Sequence, residues 1–82
     1  MPRFYFDLRD GDDLAIDEEG LELPNVGAVQ AEAAISLADM ARDAVHGAPL
    51  LGGGRRMAIE VRDEAGPVMQ VRFSFDVETR TH

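Results

Sequence analysis

The residues best equipped for chemistry in this sequence are its carboxylates. Asp10, Asp12, Asp13, Asp17, Glu18, Glu19 and Glu22 place seven of the 16 acids in a stretch of 13 residues. Oxygen donors at that density suggest a divalent cation. A calcium loop needs donors at positions 1, 3 and 5, glycine at 6 and glutamate at 12. With Gly11 at position 6, the donor positions fall on Phe6, Leu8 and Asp10, and the template fails. What remains is a weak, irregular divalent-metal site over residues 10–22, set against the simpler reading of a solvated acidic rim. Acid–base catalysis by paired carboxylates needs one of them in an apolar pocket that raises its pKa. These side chains lie in turns and at an edge, where no pocket is implied.

Other catalytic sets are missing. There is no cysteine, and the two histidines are His46 and His82. No Ser/His/acid or Cys/His constellation can be assembled from them. His46 sits where a helix is expected to end, and there its charge would complement the helix dipole. Gly52-Gly53-Gly54-Arg55-Arg56 is glycine-rich, but a phosphate loop opens into a helix and ends in Gly-Lys-Ser/Thr. This stretch opens into a strand pattern and reads as a linker, with Leu50 and Leu51 before it as a core cap or a partner contact. The expectation is therefore a non-enzymatic protein with no catalytic residues, cofactor or resident metal.

Every basic side chain is arginine. GC-rich codon usage is enough to explain that, although guanidinium also recognises carboxylate and phosphate better than ammonium does. Arg3, Arg9, Arg56, Arg62 and Arg72 alternate onto one sheet face together with Tyr5. An RNA-binding sheet wants basic residues and several stacking aromatics. Asp7, Glu60, Asp76 and Glu78 share that face, so cross-strand ion pairing is the simpler expectation. Arg3, Tyr5, Arg9, Arg62 and Arg72 stand as the candidate contacts of a charged face.

The elements that must carry these residues follow from periodicity. Phe4, Phe6 and Leu8 alternate with Arg3, Tyr5, Asp7 and Arg9, the period of a half-buried strand. Leu14 and Ile16 continue that period after an Asp10-Gly11 turn signal. Matching apolar positions across the hairpin favours a three-residue loop Arg9-Asp10-Gly11, which pairs Phe6 with Leu14 and Phe4 with Ile16. Residues 55–62 and 68–77 form a second hairpin. Its loop Glu64-Ala65-Gly66 pairs Val61 with Met69, Ile59 with Val71 and Met57 with Phe73, and leaves Val77 beyond the third strand's start. Between the hairpins Pro24 precedes an N-cap at Asn25. Val26, Val29, Ala33, Leu37, Met40 and Ala44 then form one apolar stripe, ended by Gly47 and Pro49. The expected fold is an α+β two-layer sandwich, ββαββ, with one helix on a four-stranded antiparallel sheet of order 2-1-3-4.

A chain of 82 residues makes one domain, residues 1–82. Its formal charge of −8 disfavours non-specific binding to nucleic acid or anionic membrane. No apolar run reaches the ~18 residues of a membrane helix. No secretion signal is evident, and a cytoplasmic location is expected. A domain this small without disulfides gains most from self-association. Ala31, Ile35 and Ala38 form an apolar patch on the helix side away from the core, and Val77 extends an edge strand. These four mark the expected interaction surface of a homodimer or of an unknown protein partner.

Three stretches carry a family likeness: Met1-Pro2-Arg3-Phe4-Tyr5-Phe6-Asp7, Asp17-Glu18-Glu19-Gly20-Leu21-Glu22-Leu23-Pro24 and Ala58-Ile59-Glu60-Val61-Arg62-Asp63-Glu64. They resemble the signature segments of a domain-of-unknown-function family of short acidic bacterial proteins. The resemblance implies a bacterial, cytosolic protein. It brings no activity and transfers no functional residue. The functional expectation is thus a protein-interaction module forming a homodimer. The alternatives are a regulatory protein that binds basic partners or nucleic acid, and a weak metal binder through residues 10–22.

Overall fold

The computed structural model describes residues 1–47 and 54–76. The order of elements is β1 (Arg3–Asp10), β2 (Asp13–Ala15), β3 (Leu21–Glu22), α1 (Val26–Gly47), β4 (Gly54–Asp63) and β5 (Gly66–Asp76). All strand pairs are antiparallel, in the order β2-β1-β4-β5. This α+β arrangement differs from the expected path by one addition: the two-residue β3 pairs with the start of β1, Arg3 opposite Glu22 and Phe4 opposite Leu21.

The helix begins where its cap predicts. Asn25 Oδ1 accepts the Ala28 N–H at 2.8 Å, satisfying one of the orphan donors of the first turn. Val29, Ala33, Leu37 and Ala41 recur every four residues and are buried, the first three in one cluster with Phe4 of β1 and Met57, Ile59 and Val61 of β4. Val29 and Val61 are the largest fully enclosed side chains, at 0% and 1% exposure. Burial stabilises each such aliphatic side chain by about 1.5–3 kcal/mol. Val26, expected in the stripe, is 56% exposed, and Ala41 belongs to the buried row instead. The side chains of Ala44 and His46, and the whole of residues 48–53 with Leu50 and Leu51, lie outside the described residues, as does Val77.

The second hairpin has the expected strand register: Val61 faces Met69, Ile59 faces Val71 and Met57 faces Phe73. Its turn is tighter than expected. Asp63 pairs with Gly66 across a two-residue loop, and a bulge beside Val61/Arg62 absorbs the extra residue. Asp63 Oδ1 accepts the N–H groups of Ala65 and Gly66 at 2.8 and 3.1 Å, closing the turn with a side chain.

The first hairpin corrects the sequence reading. Leu8 pairs with Ala15, Arg9 with Leu14 and Asp10 with Asp13, so the loop is Gly11-Asp12. Gly11 has φ +61° and is the first of the two loop residues, the position glycine takes in a II′ hairpin. Phe6 therefore does not face Leu14, nor Phe4 Ile16. Leu14 turns to the face away from the helix, and Leu14 and Ile16 are 43% and 54% exposed. The gain that outweighs this lost apolar burial is polar and comes from Asp17. The chain leaves the ladder after Ala15, and the Asp17 carboxylate takes the N–H of Phe6 at 3.1 Å.

The two helix faces should respond oppositely to truncation. Leu37→Ala should cost about 2–5 kcal/mol in denaturant unfolding. Ile35→Ala, at a site 59% exposed, should stay within about 0.5 kcal/mol. Equal losses at the two positions would contradict this packing.

Candidate functional site on the outer sheet face

The face of the sheet turned away from α1 carries the charges. Tyr5, Asp7 and Arg9 come from β1, opposite Arg62, Glu60 and Ala58 of β4. Ala58 and Glu60 in turn face Arg72 and Gln70 of β5. Alternation along each strand puts these side chains together.

Asp7 is the one charged side chain among the described residues that is buried, at 6% exposure. A buried carboxylate needs its lone pairs satisfied. Arg62 Nε donates to Oδ2 at 2.9 Å, and the Asp17 backbone N–H donates to Oδ1 at 2.9 Å. Arg62 Nη2 also donates to the Asp17 carbonyl at 2.9 Å, and its guanidinium carbon lies 4.5 Å from the centroid of the Tyr5 ring. The Asp7 bond, foremost, raises the pKa of Arg62 and holds it charged.

Asp17 is the hub of the second layer. Besides Phe6, the N–H groups of Glu19 and Gly20 donate to its carboxylate at 3.0 and 3.2 Å. Burial opposes its charge most. The three N–H bonds and the Arg62 charge together outweigh that, holding the carboxyl below its ordinary range. Gly20 closes this turn with φ +73°. A Cβ there would sit 2.9 Å from Arg3 Cγ, 2.9 Å from Tyr5 Cε1 and 3.0 Å from the Phe4 carbonyl oxygen. Only glycine fits both the backbone conformation and the space.

The candidate residues divide sharply. Arg3 donates to the Glu19 carbonyl at 2.7 Å and lies 3.8 Å from Glu22. Arg9 Nε donates to Glu60 at 2.6 Å, a bond that raises its pKa. Arg62 and Tyr5 are joined in the Asp7 network. Of the four candidate arginines, Arg72 alone makes no side-chain hydrogen bond or ion pair among the described residues, and the Arg56 side chain shares that condition. Around Ala58, the side chains of Arg9, Arg56, Arg72 and Ser74 rim an open depression of about 520 Å³. On the helix, Ala31, Ile35 and Ala38 are exposed as a patch, with Arg42 paired to Asp39 beside them.

The acidic segment does not converge. Among the described residues no three His, Asp or Glu side chains form a group that could hold a metal ion. A nucleic-acid platform also lacks its stacking surface, since Arg62 covers Tyr5, the aromatic of this face. No helix among the described residues is long and apolar enough to cross a membrane.

A protein-family model for a domain of unknown function, DUF6894, matches residues 3–74. The chain belongs to this family. The match spans the whole Asp7–Asp17–Arg62 network and the rim of the Ala58 depression. Neither the curated proteins nor the solved structures contain a significant match. Sequence reasoning missed Asp17 and Gly20, whose signal was the Asp-x-x-Gly spacing of a side-chain-closed turn. Arg56, although placed on the charged face, was left out of the candidate contacts.

Two measurements test the network. A carboxyl whose pKa is lowered on folding contributes fully above its unfolded value of about 4 and loses that contribution as pH falls through the folded value. Asp17→Asn should therefore be less stable than the parent at pH 7, with a flatter stability profile below about pH 4. Parallel profiles for the two proteins would refute the assignment. Gly20→Ala should lose at least about 1–2 kcal/mol through its left-handed backbone alone, read as a lower unfolding midpoint.

Proposed function

We propose that this DUF6894 protein is a non-enzymatic interaction module, cytoplasmic and bacterial, that forms a homodimer by pairing β5 of two copies. The supporting observation is that β5, with 11 residues, is an edge strand bonded on one side only among the described residues. Edge strands of soluble monomers are usually short, charged or covered, because their free N–H and C=O groups template further pairing. The apolar row Val71, Phe73 and Phe75 on the helix side of β5 is only half-buried. The Phe73 and Phe75 rings stack at 6.3 Å along it.

The strand is also self-complementary. Residues opposed across an antiparallel pair share a face, so a two-fold axis must pass through a residue. With the axis at Phe73, the two Phe73 rings face each other and Val71 faces Phe75 of the partner subunit. On the charged face, Gln70 then meets Asp76 of the partner subunit, and Ser74 meets Arg72 of the partner subunit. No like charges are opposed. An axis at Arg72 would oppose two guanidinium groups. Bacterial origin and cytoplasmic location rest on the motif resemblance and the cysteine-free acidic composition.

Light scattering at increasing concentration should give a dimer mass. Ser74 is exposed, so its variants should fold. Ser74→Lys opposes Arg72 of the partner subunit twice and should weaken the dimer. Ser74→Asp should strengthen it. At about 0.2–1 kcal/mol for each of two pairs, either change is about 2- to 30-fold in Kd. Ile35→Glu should leave the mass unchanged. A monomer at every concentration, or dissociation by Ile35→Glu with both Ser74 variants silent, would overturn the proposal.

A further inference from the structure

The depression around Ala58 points to a second property, carried within one protomer although Arg72 and Ser74 also lie at the proposed seam. We infer that it binds a small phosphate-bearing organic anion. Arg9, Ala58 and Arg72 stand side by side across β1, β4 and β5, and Arg56 and Ser74 occupy the next pair on the same face. Neighbouring strands are about 4.8 Å apart, so the stems of Arg9 and Arg72 rise about 10 Å apart on either side of a single methyl group. Ala58 is only 5% exposed although its face is open, because long neighbouring side chains enclose it. The result is a trough with an apolar floor and a cationic rim.

The pairing of the arginines singles out this place. Six arginine side chains are described: Arg3, Arg9, Arg42 and Arg62 each lie against a carboxylate. Arg56 and Arg72 have no such partner among the described residues, in a chain with twice as many acids as bases. Both rim the same depression. Two unpaired guanidinium forks facing one volume fit the oxygens of a phosphate group, to which each can donate two parallel N–H bonds. The Ser74 hydroxyl adds a donor.

The other end of the trough is lined by Arg9 and Gln70. Glu60 accepts from Arg9 Nε at 2.6 Å and from Gln70 Nε2 at 3.3 Å, which fixes both side chains. The Gln70 amide oxygen suits a hydroxyl or amino group on the organic part of the ligand. An inorganic anion would leave it unused. The volume of about 520 Å³ is ample for a sugar phosphate. A nucleic-acid strand would need exposed aromatic platforms, and the Tyr5 ring is already covered by Arg62.

Titration of the ¹⁵N-labelled protein with ribose 5-phosphate, inorganic phosphate and a short oligothymidylate tests this. Ribose 5-phosphate should shift the amides of Arg56, Ala58, Arg72 and Ser74 saturably, one ligand per protomer, and bind more tightly than inorganic phosphate. Arg56→Gln and Arg72→Gln should each weaken it about tenfold or more. Both should leave the unfolding midpoint unchanged, since neither side chain has a hydrogen-bond or ion-pair partner among the described residues. Arg42→Gln on the helix should bind like the parent. Four results would overturn the site: no saturation, equal affinity for the two phosphates, tighter binding of the oligothymidylate, or weakening by Arg42→Gln equal to that of the trough variants. Because Arg72 faces a neutral serine in the dimer register proposed above, Arg72→Gln leaves the dimer mass in place. A failed site and a failed dimer therefore give different data.

Discussion

A buried carboxylate in the centre of a strand organises the N-terminal half of this molecule. Asp7 is 6% exposed, and its cost of burial is offset only if partners reach it from outside β1. One partner, Arg62, is 55 residues away on β4, and the other is the backbone of Asp17. Those bonds fix where the chain must pass after the first hairpin. They hold Asp17 over the sheet, and Asp17 in turn supplies the Phe6 N–H with an acceptor between the points where β2 and β3 pair with β1. The turn at Gly20, the short β3 and the entry to α1 follow from that anchoring. The acidic stretch is thus partly a structural tether rather than a uniform rim.

The same network decides which charges remain outside. Once Arg62 serves Asp7, Arg9 serves Glu60 and Arg3 serves the Asp17–Glu22 turn, the two described arginines without a carboxylate partner, Arg56 and Arg72, lie on the β4–β5 side. An acidic chain can therefore carry a local cationic patch. Its net charge governs long-range steering, while contacts at the sheet surface respond to nearby groups within about a Debye length. At this face the local field follows the residues around Ala58 more than the total of −8.

Much of the architecture was legible because it rests on periodicity. The alternation of β1, β4 and β5 and the Val29–Ala33–Leu37 row are repeats of apolar side chains, and the C-terminal register followed from matching them; the Asn25 cap is a local signal, a polar side chain just before the helical pattern. The N-terminal hairpin was misread for the same reason. Apolar matching favoured Leu14 and Ile16 inside, whereas polar capture of Asp17 prevailed and left both exposed. Such a network has no period. It depends on a carboxylate, a guanidinium and a backbone amide meeting across more than fifty residues, and no local window contains all three. The site was half-legible for a related reason: alternation put the arginines on one face, but which were already engaged depended on cross-strand geometry.

The position of β4 in the sheet has a consequence for how the chain comes into being. The central strand pair joins residues 5–10 to residues 57–62, and the helix finds its floor on β4 and β5. The N-terminal hairpin alone is too small to be stable in water. During synthesis Phe4, Phe6 and Leu8 therefore stay uncovered until β4 arrives. Folding must close the long loop between these two strands, a cost that local helix formation does not share.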